Sequence, residues 1–237
     1  MKVIILKENL NTGIAIVGKA VGKNLTLPIL SNILISAKNN ILSLSATDLE
    51  IGIKYRVLAK TEKKGKAVVP FKILSNLINL LPSDKIFLES KNQTLYVSSK
   101  NYKSQIKGLA PEEFPIIPKT ENKSFLELNC ASFCQGLSQV VDFSVLNQTR
   151  PELSGVYLNF QKNKLRMAAT DSFRLAEKNI SFEKENDKEV SFILPQKTAR
   201  EIVNIFSEKK AKLDYIILLT KFYLSIPQKR FLILKLK

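Results

Sequence analysis

The chain has 237 residues, of which 45% are hydrophobic and 24% charged, a balance typical of a globular protein with one large domain or two modest ones. Its 37 lysines and arginines against 21 acidic residues give a formal net charge of +16. The absence of histidine excludes Ser-His-Asp and Cys-His nucleophile systems, histidine zinc ligands and a histidine general base.

The two cysteines, Cys130 and Cys134, are too few for the disulfide-dense scaffold of a small secreted protein. Their spacing places both on one side of a helix, one turn apart, and favours two small buried residues. A thiol switch or half of a metal site is the alternative, although two thiolates lack the other ligands that zinc needs.

No segment of the sequence has the pattern of a targeting or membrane-spanning segment. The first residues carry an apolar run of only four before Lys7, which is too short for a signal peptide. The longest apolar stretch, residues 216–226, is interrupted by Lys221 and falls short of the roughly 18 residues of a spanning helix. We therefore expect a cytoplasmic protein without a membrane partner.

The first predicted elements are a helix over residues 7–21, with apolar residues at intervals of three and four, and two strands over 41–46 and 51–58. In the first of these strands Ser43 and Ser45 alternate with apolar residues. A period of two predicts one buried and one solvated face, as in antiparallel sheets. Short polar segments between such runs predict meanders rather than βαβ units.

Helical spacing returns over residues 71–81, directly after Pro70, a favourable residue at a helix start. In the second half it occurs over residues 131–142 and again over 196–206, the latter after Pro195. The polar faces of the predicted helices carry few acids, and examples of their cations are Lys19, Lys72, Lys197 and Arg200. Without a known partner, such faces are most simply explained as solvated surface.

The order of elements occurs twice, and residues 28–48 align with 151–171 at a constant offset of 123, with eight identities in 21 positions. The identical pairs are Pro28/Pro151, Leu30/Leu153, Ser31/Ser154, Asn40/Asn163, Leu42/Leu165, Ala46/Ala169, Thr47/Thr170 and Asp48/Asp171. Three further pairs match at an offset of 125, namely Pro70/Pro195, Lys72/Lys197 and Asn79/Asn204. The sequence therefore predicts two copies of one unit. Residues 109–123, with three prolines, form the boundary between domains 1–118 and 119–237.

Both predicted units are basic. Residues 1–120 contain 18 basic and 8 acidic residues, and residues 121–237 contain 19 and 13. A positive balance suits a polyanion such as DNA, because neutralising phosphates releases counterions and provides affinity that is independent of sequence. A lysine-rich coding bias would give the same totals, so the net charge alone does not decide the partner.

Several segments follow one another in the order of a known family. They are TLPILSNILISA (26–37), LSLSATDLEIGI (42–53), VPFKILSNLINLLP (69–82), LAPEEFPIIP (109–118), RPELSGVYLNF (150–160), LRMAATDSFRLA (165–176) and ILPQKTAREIVNIF (193–206). The chain resembles the bacterial DNA sliding clamps, the β subunits of DNA polymerase III, over essentially its whole length. The resemblance implies an α+β DNA-clamp fold with two repeated domains, each with two helices packed on antiparallel sheets. In that family the helices line a central hole and the sheets form the outer wall.

The resemblance also implies a function: a processivity factor of DNA replication that encircles duplex DNA and tethers the replicative polymerase. Such a protein is not an enzyme and needs no cofactor or metal. The residues expected to face DNA are Lys23, Asn24, Lys72, Gln148, Arg150 and Lys197. Arg200 is added from helix geometry, because it lies three residues beyond Lys197 on the same face. Related clamps often have a basic residue where this chain has Asn24.

A second site implied by the resemblance is an apolar groove that receives short peptide motifs of DNA polymerase III and the clamp loader. The matching residues are Leu153, Thr170, Ser172, Phe173, Arg174 and Leu175. An apolar floor with a polar edge fits an extended peptide with hydrophobic anchors. The pair Thr170-Asp171 has a twin in Thr47-Asp48 of the first unit, so this pair is expected to be turn chemistry, and Arg174 and Leu175 are expected to bind the peptide.

The chain departs from the family in one respect: family protomers have three such domains, and two protomers close a six-domain ring. This sequence covers the first two domains, so a truncated clamp fragment that does not function is one expectation. Another is a two-domain protomer that self-associates into a trimeric ring.

Two further alternatives come from other functional classes. The first is an open basic module that binds DNA without encircling it. The second is an enzyme that uses Asp171 with Glu177, or the acidic run 183–189, to hold a metal or to form an acid–base pair.

Overall fold

The computed structural model describes residues 1–22, 27–82, 84–117, 126–146, 149–182, 189–207, 212–218, 221–226 and 230–233. The chain divides into two compact units. Unit 1 comprises Met1–Thr120 and the later segment Gln228–Lys235, and unit 2 comprises Glu121–Pro227. Among the described residues, no helix is both long and apolar enough to cross a membrane.

Unit 1 contains two helices and two antiparallel sheets in the part that the structure describes. The helices are α1 (Lys7–Val17) and α2 (Phe71–Leu80). The strands are β1 (Lys2–Leu6), β2 (Asn32–Lys38), β3 (Ile41–Thr47), β4 (Gly52–Leu58), β5 (Lys60–Lys63), β6 (Gly65–Pro70), β7 (Lys85–Lys91), β8 (Thr94–Ser99) and β9 (Tyr102–Lys107). One sheet has the order β5-β1-β7-β8-β9, and the other contains β4-β3-β2-β6.

Unit 2 repeats this arrangement. Its helices are α3 (Cys130–Val140) and α4 (Gln196–Phe206). The strands, in chain order, are β10 (Leu126–Asn129), β11 (Gly155–Phe160), β12 (Lys164–Thr170), β13 (Leu175–Ser181), β14 (Val190–Pro195), β15 (Lys212–Leu218) and β16 (Lys221–Ile226). One antiparallel sheet has the order β13-β12-β11-β14, and β10, β15 and β16 pair in another. The last strand of the chain, β17 (Arg230–Ile233), belongs to unit 1, where it pairs with β4.

The internal repeat predicted from the sequence is confirmed by equivalent helices and strands in the two units. Helix α3 begins and ends 123 positions after α1, and strands β3 and β12 are related by the same offset. In unit 1 Asn32 pairs with Pro70 across β2 and β6, and in unit 2 Gly155 pairs with Pro195 across β11 and β14. The offsets of these two pairs are those found in the sequence, 123 and 125.

In each unit the core lies between the helices and one face of an antiparallel sheet. This sheet is β4-β3-β2-β6 in unit 1 and β13-β12-β11-β14 in unit 2. In unit 1, Leu10 and Ile14 of α1 are buried together with Leu44 of β3. In unit 2, Phe133 of α3 and Ile202 of α4 are likewise fully buried. Because each helix buries only its apolar face, the opposite face stays in solvent.

Helix α4 spans the predicted residues. The helical spacing over residues 7–21 and 131–142, in contrast, predicts that α1 and α3 end later than they do. After Val17 and after Val140 the backbone tightens into 3₁₀ turns, Gly18–Ala20 and Val141–Phe143, which keep the apolar spacing for a few more residues. One exposure prediction is wrong. Ser45 is buried because its small side chain is flanked across the strands by Leu34 and Lys54.

Each unit satisfies the carboxyl end of its second helix from the start of its first. Lys7 Nζ donates to the carbonyl oxygens of Asn79 at 3.0 Å and Leu81 at 2.5 Å. The equivalent residue of unit 2 is Cys130, whose Sγ donates to the carbonyl oxygen of Phe206 at 3.3 Å. The last carbonyls of a helix have no partner within it, so these contacts hold the two helices together.

The cysteines are free and buried, as the first interpretation of their spacing expects. A hydrogen bond with Cys130, and then burial, raise the pKa of the Cys134 thiol well above its ordinary value. A thiol that stays protonated is a poor nucleophile and a poor metal ligand. Both residues therefore pack α3 in the core.

Gly155 lies where β11 and β14 approach each other closely. A Cβ atom added there would lie 2.3 Å from the carbonyl oxygen of Leu194, and a backbone atom cannot rotate away. We expect Gly155→Ala to lower the free energy of unfolding by about 1–3 kcal/mol, because the two strands must separate. Urea denaturation followed by circular dichroism measures this change.

A matched control lies on the same strand. Asn159 is half-buried, and Asn159→Ala should change the free energy of unfolding by less than about 0.5 kcal/mol. Wild-type stability in Gly155→Ala would contradict the strand spacing.

Candidate DNA-facing residues and peptide groove

The turn between β12 and β13 is built by Thr170 and Asp171. Asp171 Oδ1 accepts hydrogen bonds from the backbone N–H groups of Phe173 at 3.1 Å and Arg174 at 2.9 Å. The hydroxyl of Thr170 donates to the carbonyl oxygen of Arg174 and accepts from the N–H of Ser172. Ser172 has a φ of 77°, a left-handed conformation that these hydrogen bonds help to hold.

Unit 1 contains the same turn. Asp48 Oδ1 accepts from the N–H groups of Glu50 at 3.0 Å and Ile51 at 2.7 Å, and Leu49 has a φ of 74°. The N–H of Leu49 also donates to the hydroxyl oxygen of Thr47. The Thr-Asp pair therefore has a structural role in both units, and only the residues that follow it differ.

Arg174 distinguishes the turn of unit 2. Its Nε donates to Asp171 Oδ2 at 2.9 Å, and one terminal nitrogen donates to the carbonyl oxygen of Asp142 at 3.3 Å. The guanidinium carbon also lies 4.8 Å from the centre of the Phe143 ring, within the range of a cation–π contact. The side chain is still 60% exposed. Three contacts therefore orient a cation that remains accessible to a ligand.

Exposed apolar residues accompany Arg174. Phe173 is 98% exposed and Leu175 is 67% exposed, while Leu153 is half-buried. The carbonyl oxygen of Leu153 accepts from the N–H of Val145 at 3.1 Å, which brings a second segment alongside. Leu146, the residue after Val145, is 77% exposed, and the sequence analysis does not name it as a site residue. The only sequence signal for Leu146 is an apolar pair within the otherwise polar residues 144–150.

Three of the cations predicted to face DNA lie on the solvent side of the second helix of a unit. Lys72 is the second residue of α2, Lys197 is the second residue of α4, and both are exposed. Arg200 is exposed one turn further along α4, and Arg150 is exposed just before the Pro151–Leu153 turn. Three other predicted residues, Lys23, Asn24 and Gln148, lie outside the described part of the chain.

Asp142 contacts one arginine of the proposed groove and one of the cations proposed to face DNA. The sequence analysis does not name this residue. Its carboxylate Oδ1 lies 2.8 Å from a terminal nitrogen of Arg200, and its carbonyl oxygen accepts from Arg174. Next to it, Gln196 Nε2 donates to the carbonyl oxygen of Ser144 at 2.8 Å and ties the start of α4 to the same segment. These contacts connect residues 32 to 58 positions apart, beyond the reach of local sequence patterns.

The two carboxylates named for the enzymatic alternative outside the acidic run both pair with arginines. Asp171 is engaged by Arg174, and Glu177 pairs with Arg166 at 2.5 Å. The described residues contain no cluster of three or more cysteine or carboxylate side chains that could hold a metal. Of the acidic run, residues 183–188 lie outside the described part.

The contact with Arg174 has an electrostatic consequence. The hydrogen bond from the Arg174 side chain lowers the pKa of Asp171, and backbone N–H groups of the turn add to this effect. The stabilisation from the ionised carboxylate is present above the ordinary aspartate pKa of about 3.9 and is lost as pH falls through the lower folded value.

We expect Arg174→Ala to raise the pKa of Asp171 toward its ordinary value, because the largest cause of the depression is removed. Carboxyl NMR titration measures this pKa. Arg166→Ala is the control: it should raise the pKa of Glu177, which is lowered chiefly by Arg166, and leave that of Asp171 unchanged. An unchanged Asp171 pKa in Arg174→Ala would show that the pair does not form.

Comparisons with known proteins agree in both halves of the chain. Residues 1–118 match the family described as the N-terminal domain of the DNA polymerase III beta subunit, and residues 127–234 match its central domain. The beta sliding clamp of Synechococcus elongatus is 34% identical over 181 residues, which are 74% of this chain and 48% of the relative. The beta sliding clamp of Rickettsia bellii is 29% identical over 93% of this chain and 58% of its own length.

Solved structures show the same fold. The DNA polymerase sliding clamp of Bacillus subtilis superposes with a TM-score of 0.94 at 25% identity, covering 100% of this chain and 65% of that one. The DNA polymerase III beta subunit of Thermotoga maritima gives 0.86 at 26% identity, with 64% of that chain covered. This chain thus spans roughly half to two thirds of the length of these proteins. The α+β clamp fold with a repeated unit is confirmed, and the chain belongs to the family of DNA polymerase III beta subunits.

Proposed function

We propose that this chain functions as a DNA sliding clamp, a processivity factor of replication that acts without catalysis. Its relatives are beta sliding clamps. The observation that carries the proposal is the equivalence of Lys72 and Lys197. Each is the second residue of its helix, is exposed, and lies opposite a buried apolar face.

The physical basis is electrostatic contact without sequence readout. Lysine and arginine side chains bind phosphate oxygens and carry no information about bases, so the contact is the same at every step along a duplex. A ring that is threaded on DNA needs only weak contacts, because topology prevents escape. Residues 1–120 carry a net charge of +10 and residues 121–237 one of +6, and both favour the same polyanion.

Encirclement needs more than one copy of the unit pair, so self-association into a ring is part of the proposal, as is a cytoplasmic location. The polymerase and the clamp loader are the proposed protein partners. They would dock short peptide motifs beside Arg174, where exposed Phe173 and Leu175 offer apolar contacts and Leu153 a half-buried floor. We place domain 1 at residues 1–118 and domain 2 at 119–237.

We expect the chain, once loaded by its cognate clamp loader with ATP, to remain on nicked circular DNA through gel filtration. Cutting that DNA once should release it, because a threaded ring slides off a free end. Equal retention on linear and circular DNA would favour an open basic module instead, and no retention on either would overturn the clamp proposal.

Charge reversal identifies the DNA-facing helices. Lys72→Glu and Lys197→Glu should each weaken binding to a short duplex and reduce the slope of log affinity against log salt by about 0.9 or more. Lys103→Glu, an exposed site on β9, changes the net charge equally and is the control. An equal effect of all three variants would contradict a specific role for α2 and α4.

The groove makes a separate prediction. Arg174→Ala should weaken binding of a synthetic peptide with alternating leucine and phenylalanine anchors by about 5- to 30-fold, as loss of an interface arginine does. Fluorescence anisotropy measures this affinity. Arg166→Ala removes an arginine from the same sheet and should leave the affinity at the wild-type value. Equal losses in both variants would place the peptide elsewhere.

A further inference from the structure

Asp142 contacts two arginines with two different groups. The residue is the middle of the 3₁₀ turn Val141–Phe143, which follows α3. Its carbonyl oxygen accepts from Arg174, whereas its carboxylate Oδ1 lies 2.8 Å from Arg200. A side-chain substitution at Asp142 therefore changes the contact with Arg200 and keeps the backbone acceptor for Arg174.

The carboxylate of Asp142 engages one terminal nitrogen of Arg200, a position that a phosphate oxygen could take instead. Carboxylate and phosphate oxygens are both anionic acceptors that the planar guanidinium binds with short, charge-assisted hydrogen bonds. Arg200 lies one turn beyond Lys197 on the solvent face of α4. The arginine that contacts Asp142 is therefore also one of the cations proposed to face DNA.

We propose that the Asp142 carboxylate is an internal competitor for DNA phosphate at Arg200. This inference rests on the proposed function. The acid takes one terminal nitrogen of Arg200 and offsets its positive charge, so it weakens one phosphate contact of α4. Because the phosphate contacts of a threaded ring need only be weak, this competitor favours movement along the duplex over tight binding.

The exposure of the pair sets the size of the effect. The side chain of Asp142 is 66% exposed and that of Arg200 is 50% exposed, so water and salt screen their attraction. Exposed ion pairs of this kind change an equilibrium by about 1.4- to 5-fold. A phosphate can therefore displace Asp142, and the competitor reduces the affinity for DNA without abolishing it.

A purely structural role of the ion pair would be to fasten the 141–144 segment to α4. That connection already exists in the hydrogen bond from Gln196 to the carbonyl oxygen of Ser144, which is partly buried. The Asp142–Arg200 pair, which is more exposed, adds little to it. DNA affinity, rather than stability, is therefore the readout that separates the two roles.

The test measures binding of a short fluorescein-labelled duplex over a series of salt concentrations. Asp142→Asn should bind about 1.4- to 5-fold more tightly at low salt and show a steeper salt dependence, by up to about 0.9 in slope. Arg200→Gln should bind more weakly than wild type. In the double variant, Asp142→Asn should have no further effect, because the arginine for which it competes is absent.

Glu177→Gln is the matched control, since it also removes one acidic charge and frees an arginine, Arg166, from an exposed pair on β12 and β13. Its DNA affinity should stay below that of Asp142→Asn. Equal gains in the two variants, or wild-type affinity in Asp142→Asn, would overturn the competitor while leaving the clamp proposal intact. Failure of the wild-type chain to bind duplex at low salt would overturn the proposed function and this inference together.

Discussion

The packing of two amphipathic helices on one face of an antiparallel sheet is the constraint on which the other features of each unit depend. Leu74 and Ile78 of α2, like Ala199 and Ile202 of α4, are buried completely. A helix that buries these positions must present the positions between them to solvent. The second residue of each helix, Lys72 or Lys197, is therefore exposed as a consequence of core packing.

The turn beside the proposed groove has a counterpart in unit 1. In both units the threonine and aspartate oxygens of a Thr-Asp turn accept equivalent backbone hydrogen bonds and the next residue is left-handed, so this chemistry belongs to the fold. The residue held by the aspartate differs: it is Ile51 in unit 1, which is buried, and Arg174 in unit 2, which is exposed. In unit 2 the structural turn thus supports an exposed arginine, which the neighbouring segment with Asp142 and Phe143 orients.

Much of the fold was predictable because its signals are local. Helix α4 was placed to the residue, and the repeat was found from 21 aligned positions, since both depend on patterns within one element or on a constant offset. The errors occur where contacts with neighbouring segments determine burial or helix type. Ser45 is buried by residues of adjacent strands, and the helical spacing of residues 7–21 does not distinguish an α-helix from the 3₁₀ turn that follows it. Around the proposed groove, the resemblance points to Arg174 and Leu175, whereas it does not point to Leu146 or Asp142.

The amino-acid sequence by itself determined the duplicated α+β unit, the cation-bearing helix faces and the resemblance to a clamp. The first two follow from residue types at short or constant spacing, and the resemblance rests on motifs that occur in the order of the family. Only the tertiary structure decided which acid meets which arginine: Asp142 lies 32 positions from Arg174 and 58 from Arg200, and it contacts both. The physical reason is that a helix or strand pattern constrains neighbours up to about four residues away. Contacts between distant segments depend instead on how the buried faces of several elements fit together.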